Sequence, residues 1–360
     1  MLTEVISQAA GDPHISDILI KEGDSLWVRH QGQVLRAETG KVSREHILEL
    51  LRAHESATGV KADSVFRTLD EKTGDLDFAI KVGGVRYRGN VYLTNGRRMA
   101  LALRRLADKA PALPSLGLPE AYLGKLLKNS KGLLLVTGGT GSGKTTTLAS
   151  TIDYLNETTN GHIITLEDPV EYLLESNNCL VDQRQIGRDT NSFASGLRAA
   201  LREDPDILLI GELRDFETIK TALAAATTGH LVLGSLHTNS ARQSVERITS
   251  EFGQERREWA HMVLSQALLG CVSQTLVPRA DGNGRVLAAE LLVCTPDVRS
   301  AIRDGKTSAI FNAMDTGAAH GQVLMNRTLL NMVRSRVITA EEAMYASYDP
   351  ANLRKELGLV

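Results

Sequence analysis

This sequence contains few cysteines and few aromatic residues, has a small net charge and lacks long apolar runs. The 360 residues include only three cysteines, Cys179, Cys271 and Cys294, which lie far apart and form no Cys-x-x-Cys pair. We therefore expect neither a zinc ribbon nor a disulfide framework, and a chain with so few thiols is typical of a reducing cytoplasm.

No stretch of the sequence has the length and apolar character of a membrane span. The longest apolar runs, such as residues 133–136 and 207–210, have the length of a β-strand, whereas a transmembrane helix needs roughly 20 apolar residues. The first residues, MLTEVISQAAGDPH, lack the basic and apolar segments of a signal peptide. We therefore expect a cytoplasmic protein whose association with a membrane is peripheral.

The low aromatic content and the small net charge bear on possible partners. Aromatic residues make up 4% of the chain and the formal net charge is −2. A nucleic-acid translocase would need a basic channel that carries aromatic side chains, so we expect no nucleic-acid partner. Hydrophobic residues at 42% and charged residues at 23% are ordinary for a soluble globular protein.

The pattern along the chain predicts an α/β protein with two domains. Residues 1–105 mix short strands with a helix that starts at Ser43, residues 106–118 form a linker rich in proline, and residues 119–360 form the second domain. In the second domain, apolar runs alternate with helical patterns, which indicates a mostly parallel sheet. From about Glu255 onward we expect helices, including the stretch WAHMVLSQALLGCV.

A phosphate-binding loop is the strongest motif. Residues 138–145 read GGTGSGKT, which fits the pattern GxxxxGK[ST] between an apolar strand and a helical pattern. Glycines allow backbone N–H groups to wrap the phosphates, and the helix adds its positive N-terminal end. Lys144 is expected to reach the β- and γ-phosphates and the Thr145 hydroxyl to coordinate Mg²⁺. The predicted ATP contacts are Gly138, Gly139, Thr140, Gly141, Ser142, Gly143, Lys144, Thr145 and Thr146.

Carboxylates follow two apolar strands of the second domain. Glu212 comes after residues 207–210, and Glu167 and Asp168 come after residues 163–166. Because ligands bind at the carboxyl ends of parallel strands, both glutamates are expected beside the phosphate loop. Glu212 can bind Mg²⁺ through water or polarise the attacking water, and either Glu167 or Glu212 has to supply the general base.

Histidines and arginines complete the candidate site. His230 and His237 flank the apolar run 231–236, and we expect His237 to contact the γ-phosphate and His230 to contribute to nucleotide binding. In the first domain, a hairpin turns at Asn95–Gly96. Arg86, Arg88 and Arg104 lie opposite its apolar face, because side chains alternate along a strand.

These motifs, in this order, resemble the secretion/pilus ATPase superfamily, and especially its pilus retraction motors. The loop GGTGSGKT corresponds to Walker A, TLEDPVE to the Asp box, LREDPDILLIGELRD to the Walker B region and GHLVLGSLHT to the His box. The resemblance extends over nearly the whole chain and is most specific between residues 132 and 241. It implies that Glu167 is the catalytic base.

The resemblance also implies the architecture and partners of a motor. We expect a PAS-like N-terminal domain and a RecA-like P-loop domain with a helical C-terminal part, assembled into a homo-hexamer that uses ATP and Mg²⁺. Arg88 and Arg104, followed by Arg86, are the candidate arginine fingers. The implied location is the cytoplasmic face of the inner membrane, on a pilus or secretion platform protein and beside a paralogous ATPase.

Some segments depart from the pattern of retraction motors. Residues 298–304 read VRSAIRD, which matches only part of the family's AIRNLIRE-like segment, and SDILI stands where an SDLHI-type element is usual. The sequence shows no four-cysteine metal motif, which disfavours pilus-extension and type II secretion motors. The alternative to a retraction motor is an ATPase of a type IVB secretion or conjugative pilus system. A nucleotide-gated regulator would need a missing catalytic carboxylate, and both glutamates are present.

Overall fold

The computed structural model describes residues 2–58, 60–71, 74–107 and 109–359, and the chain divides into two compact units. The first unit comprises Met1–Lys109 together with Pro169–Leu173, and the second comprises Ala110–Asp168 and Leu174–Val360. The first unit thus includes a segment from far along the chain. The division expected from the sequence, into contiguous domains, does not contain this exchange.

Most of the expected linker, residues 106–118, belongs to the second unit, which begins at Ala110. Asp108 lies outside the described residues. Farther along, a short 3₁₀ helix spans Leu113–Leu116, and Leu113 is buried in the core of the second unit.

The first unit is a six-stranded antiparallel sheet with helices packed on it, in the strand order β3-β2-β1-β6-β5-β4. Its elements are α1 (Leu2–Ala10), β1 (Ile15–Lys21), β2 (Trp27–His30), β3 (Gln33–Arg36), α2 (Arg44–Ala53), α3 (Glu55–Thr58), α4 (Val65–Glu71), β4 (Asp75–Val82), β5 (Val85–Thr94) and β6 (Arg98–Arg105). The predicted hairpin is β5–β6, and Asn95 and Gly96 both have positive φ, which suits a tight turn between twisted strands.

The second unit is built on a seven-stranded sheet in the order β13-β12-β7-β11-β10-β8-β9, parallel except for the edge pair β12–β13. Its strands are β7 (Gly132–Thr137), β8 (Gly161–Glu167), β9 (Cys179–Gln185), β10 (Ile207–Ile210), β11 (Leu231–Leu236), β12 (Leu268–Pro278) and β13 (Arg285–Val293). Its helices are α5 (Lys144–Thr158), α6 (Phe193–Ala200), α7 (Phe216–Thr227), α8 (Ala241–Ser250), α9 (Gly253–Ala267), α10 (Pro296–Arg303), α11 (Thr307–Thr316), α12 (Met325–Arg334), α13 (Ala340–Ala346) and α14 (Pro350–Glu356).

The central strands are apolar throughout because helices cover both faces of the sheet. Leu133 and Leu135 of β7 pack in one buried cluster with α7, α8 and α9, whereas Leu134 and Val136 pack in another with α5. Since β7, β11, β10 and β8 run parallel, their carboxyl ends share one edge of the sheet. The phosphate loop and the segments that follow the other three strands lie at that edge.

The expectation of helices from about Glu255 onward is wrong for residues 268–293. Helix α9 ends at Ala267, and β12 continues directly from Leu268, so the stretch WAHMVLSQALLGCV changes from helix to strand within itself. Pairing with β7 and β13 outweighs the local helical pattern. Glycine at position 270 allows β12 and β13 to pair this closely, because a Cβ there would lie only 2.6 Å from the carbonyl oxygen of Leu292. Helices resume at α10.

In the part of the chain that the structure describes, no helix combines the length and apolar character needed to cross a membrane.

Candidate nucleotide-binding and catalytic site

The phosphate loop joins β7 to the fifteen-residue helix α5. Gly141 and Gly143 have φ values of 75° and 90°, a region that favours glycine. Lys144 Nζ donates to the carbonyl oxygens of Gly138, at 2.8 Å, and Gly139, at 3.0 Å, so the ammonium group lies within the loop. Thr145 and Thr146 follow in the first turn of α5, and the positive N-terminal end of a helix favours an anion.

Gly138 cannot carry a side chain without displacing the loop. A Cβ there would lie 2.3 Å from the carbonyl oxygen of Gln274 in β12, and the φ of 149° is strained for other residues. We expect Gly138→Ala to lower nucleotide affinity at least tenfold, a loss of about 1.4 kcal/mol, with ADP titration calorimetry as the measurement. Gly139→Ala is the matched control, because open space surrounds its Cβ position. Equal affinity in the two variants would contradict this expectation.

Glu212 forms the charged centre of the site. Its two carboxylate oxygens lie 2.8 Å from Arg214 Nε and 3.5 Å from His237 Nε2. Burial raises the pKa of Glu212, but Arg214, His237 and Lys144 together outweigh it and hold that pKa below its ordinary value. Burial also lowers the pKa of Lys144, and Glu212 opposes that change. The structure thus brings Glu212, His237 and Lys144 together, as the sequence predicted for this edge of the sheet.

Arg214 is a member of this centre that the sequence analysis missed. It stands two residues after Glu212 in the motif GELRD, so its spacing to the carboxylate was the available signal. Its hydrogen bond to Glu212 is the main cause of its raised pKa, and Asp168 also contributes.

Glu167 is the last residue of β8, and only 7% of its surface is exposed. Its Oε1 accepts hydrogen bonds from Thr165 Oγ1, at 2.8 Å, and Gln183 Nε2, at 3.0 Å. These neutral donors orient the carboxylate, and neither was singled out from the sequence. The turn before Glu212 runs close to the same strand, since the N–H of Gly211 donates to the carbonyl oxygen of Leu166 at 2.8 Å.

His230 lies at the opposite edge of the sheet from the phosphate loop. Its carbonyl oxygen accepts from the N–H of Gly132, the first residue of β7, and its Nδ1 lies 3.1 Å from the carbonyl oxygen of Ala225. Six strand residues separate His230 from His237, which corresponds to about 20 Å. The structure does not bring His230 to the nucleotide site, and we leave it out of that site.

The three candidate finger arginines share one face of the first unit. Arg88 and Arg104 are direct partners across β5–β6. Arg104 Nε donates to Asp17 Oδ1 at 2.9 Å, and Arg88 lies 3.9 Å from Asp77. This row of charges is therefore held by carboxylates of the neighbouring strands.

Arg86 binds the last residues of the Asp box, which belong to the first unit. Its guanidinium donates to the carbonyl oxygens of Glu171, at 2.8 Å, and Val170, at 3.0 Å. Burial raises the pKa of Glu171, although Arg88 and Arg104 act in the opposite direction. The segment Pro169–Leu173 belongs to the first unit and begins two residues after Glu167 in the sequence.

Comparison with known proteins shows the family to which this chain belongs. Residues 2–351 match the model of the family described as type II/IV secretion system protein. The chain is 38% identical over 352 residues to the type IV pilus retraction ATPase PilT of Pseudomonas aeruginosa, an alignment that covers 98% of this chain and 99% of the relative.

Two solved structures are similar over almost the whole chain. A crystal structure of the pilus retraction motor PilT with bound ADP has a TM-score of 0.88 and 42% identity, covering 98% of this chain and 99% of that one. The ATPase DotB of Legionella pneumophila has a TM-score of 0.76 and 28% identity, covering 95% and 93%. The predicted family, nucleotide binding and ATP-hydrolysing activity are confirmed. This chain belongs to the type II/IV secretion system protein family, as an ATPase of the pilus-retraction type.

Proposed function

We propose that this chain is a homo-hexameric motor that hydrolyses ATP to power pilus retraction at the cytoplasmic face of the inner membrane. The first unit is a PAS-like domain and the second a RecA-like domain. The observation that carries the proposal is the meeting of the phosphate loop, Glu212 and His237 at one sheet edge. It occurs in a chain that aligns with the retraction ATPase PilT over nearly the full length of both.

The residues of the second unit take the following roles in this proposal. The phosphate loop and Lys144 bind the phosphates, and Thr145 and Glu212 offer the hydroxyl and carboxylate oxygens that suit Mg²⁺. When bound, Mg²⁺ neutralises phosphate charge. Glu167 orients and deprotonates the attacking water. A carboxylate with a lowered pKa is a weaker base, which favours Glu167 over Glu212 for this step.

His237 and the arginines complete the catalytic group. His237, at the carboxyl end of β11 and 3.5 Å from Glu212, contacts the γ-phosphate. Arg88 and Arg104, with Arg86, act as arginine fingers within the ring. The ring works against a membrane platform protein, beside a paralogous ATPase, and its membrane association is peripheral.

The alternative is an ATPase of a type IVB secretion or conjugative pilus system. The similarity to DotB supports it, but identity and TM-score are both higher for the retraction motor, at 42% and 0.88 against 28% and 0.76. The two functions share the site chemistry and differ in the membrane machine that the motor serves.

Particle mass and ATP turnover, measured together, test the motor. We expect purified wild-type protein to form particles of six chains that hydrolyse ATP only with Mg²⁺ present. Expression in a Pseudomonas aeruginosa strain that lacks its own retraction ATPase is expected to restore twitching motility. A monomer without turnover would contradict the motor itself. An active hexamer that fails to restore motility would instead favour the secretion alternative.

A further inference from the structure

A buried acidic residue on the edge strand of the second unit has no role in the site described above. Glu290 lies in β13 with 6% of its surface exposed. Burial raises the pKa of its carboxyl group, and the backbone N–H groups of Ala241 and Met325 oppose that rise. The Ala241 bond to Glu290 Oε1 measures 3.0 Å.

Ala241 and Met325 are both first residues of helices, and the carboxyl group accepts a hydrogen bond from Ala241. Ala241 starts α8 and Met325 starts α12. The α8 start also has Ser240 as an N-cap, whereas Leu324, which precedes α12, offers no side-chain cap. An acidic group in this position is favoured by the positive end of each helix.

The start of α8 is connected directly to the catalytic centre. Ala241 comes four residues after His237. Between them, Thr238 Oγ1 lies 2.6 Å from Ser244 Oγ, which joins the His-box segment to the first turn of α8. The position of His237 beside Glu212 thus depends on where α8 begins.

The same carboxyl group stands next to the base of the phosphate loop. Glu290 pairs across the ladder with Ser273 of β12, and Ser273 Oγ lies 2.9 Å from Oγ1 of Thr137, the residue before Gly138. On the other side, Leu291 exchanges two backbone hydrogen bonds with Val323, which lies two residues before α12. Glu290 is therefore shared by the active-site edge of the sheet and the C-terminal helices.

An apolar side chain of similar size would avoid the cost of burying a carboxyl group. What the carboxyl group adds is direction, because it accepts a hydrogen bond from the start of α8 at a defined angle. We propose that Glu290 is a positioning residue for ATP hydrolysis: from β13 it holds the start of α8, and through it His237, in place beside the sheet edge that carries the phosphate loop. The proposal rests on the role of His237 given under the proposed function.

Glu290→Gln tests this, because an amide of the same shape removes the negative charge at the positive start of α8 and replaces one of the two acceptor oxygens by an N–H₂ group. We expect the turnover number to fall about tenfold, while the dissociation constant of ADP and the hexameric mass stay within about twofold of wild type. ADP-binding stoichiometry gives the fraction of competent sites, so a merely structural loss would appear as fewer sites with normal turnover at each. Glu258→Gln, on an exposed position of α9, is the matched control.

A double-mutant cycle with His237→Ala decides whether Glu290 acts through that histidine. We expect Glu290→Gln to cause no further loss of turnover in the His237→Ala protein. A full additional tenfold loss, or a normal turnover number in Glu290→Gln, would overturn the positioning role. A normal turnover number in His237→Ala would overturn the proposed role of His237 itself and, with it, this inference. If Glu290→Gln does not give a folded ring, the cycle is run with Glu290→Asp, which keeps the charge but withdraws it by one methylene.

Discussion

Replacing Glu167 with glutamine is expected to lower ATP turnover about 10²–10⁴-fold, because the variant lacks a base for the attacking water. The effect should fall on the turnover number, and ADP affinity should stay within about threefold of wild type. The carbonyl oxygen of the new amide can still accept from Thr165 and Gln183, so the fold around β8 is expected to persist. Steady-state hydrolysis and ADP titration calorimetry are the measurements.

Two further glutamate variants make this prediction specific. Glu157→Gln, on an exposed position near the end of α5, is expected to keep wild-type turnover. Glu212→Gln is expected to raise the Mg²⁺ concentration needed for half-maximal turnover, because that carboxylate is the proposed metal contact. Retained turnover in Glu167→Gln together with complete loss in Glu212→Gln at saturating Mg²⁺ would move the general base to Glu212.

Replacing Lys144 with alanine is expected to remove nucleotide binding and turnover together. Each charge-assisted hydrogen bond is worth about 1.5–3 kcal/mol, so loss of two phosphate contacts corresponds to about 10²–10⁴-fold. In the structure the ammonium group is bonded to the carbonyl oxygens of Gly138 and Gly139, and it has to exchange these for phosphate oxygens. ADP titration calorimetry and steady-state hydrolysis measure the two losses.

A second lysine close in sequence provides the comparison. Lys131→Ala removes an exposed ammonium group just before β7, at the edge of the sheet away from the phosphate loop, and is expected to stay within about twofold of wild type. ADP affinity in Lys144→Ala within about threefold of wild type would show that the phosphates do not depend on this side chain.

The catalytic core could be predicted because its motifs are local. A phosphate loop is a run of consecutive residues between a strand and a helix, so its chemistry can be inferred from Gly138–Thr145 without tertiary contacts. Glu167, Glu212 and His237 follow apolar strands. In a parallel sheet, strand ends of this kind meet at one edge, which allowed their proximity to be expected.

Features that require several elements to come together were harder to predict. His230 precedes β11 and His237 follows it, so the rule that ligands bind at the carboxyl ends of parallel strands supported only His237. The strand β12 follows a helix without a break, because pairing with β7 and β13 outweighs its local pattern. Thr165 and Gln183 were identified only by their contacts with Glu167, whereas Arg214, identified by its contact with Glu212, also had a signal in its spacing.

Residue types at short, regular spacings were enough to predict that this protein binds a nucleotide, that it belongs to the secretion ATPases, and that Glu167 and Glu212 follow apolar strands of a parallel sheet. The three-dimensional fold was needed to show that Pro169–Leu173 joins the first unit and that Glu290 accepts a hydrogen bond from the start of α8. The physical reason is that such contacts join segments separated by tens of residues, and their partners are selected by packing and hydrogen bonding that no local pattern specifies.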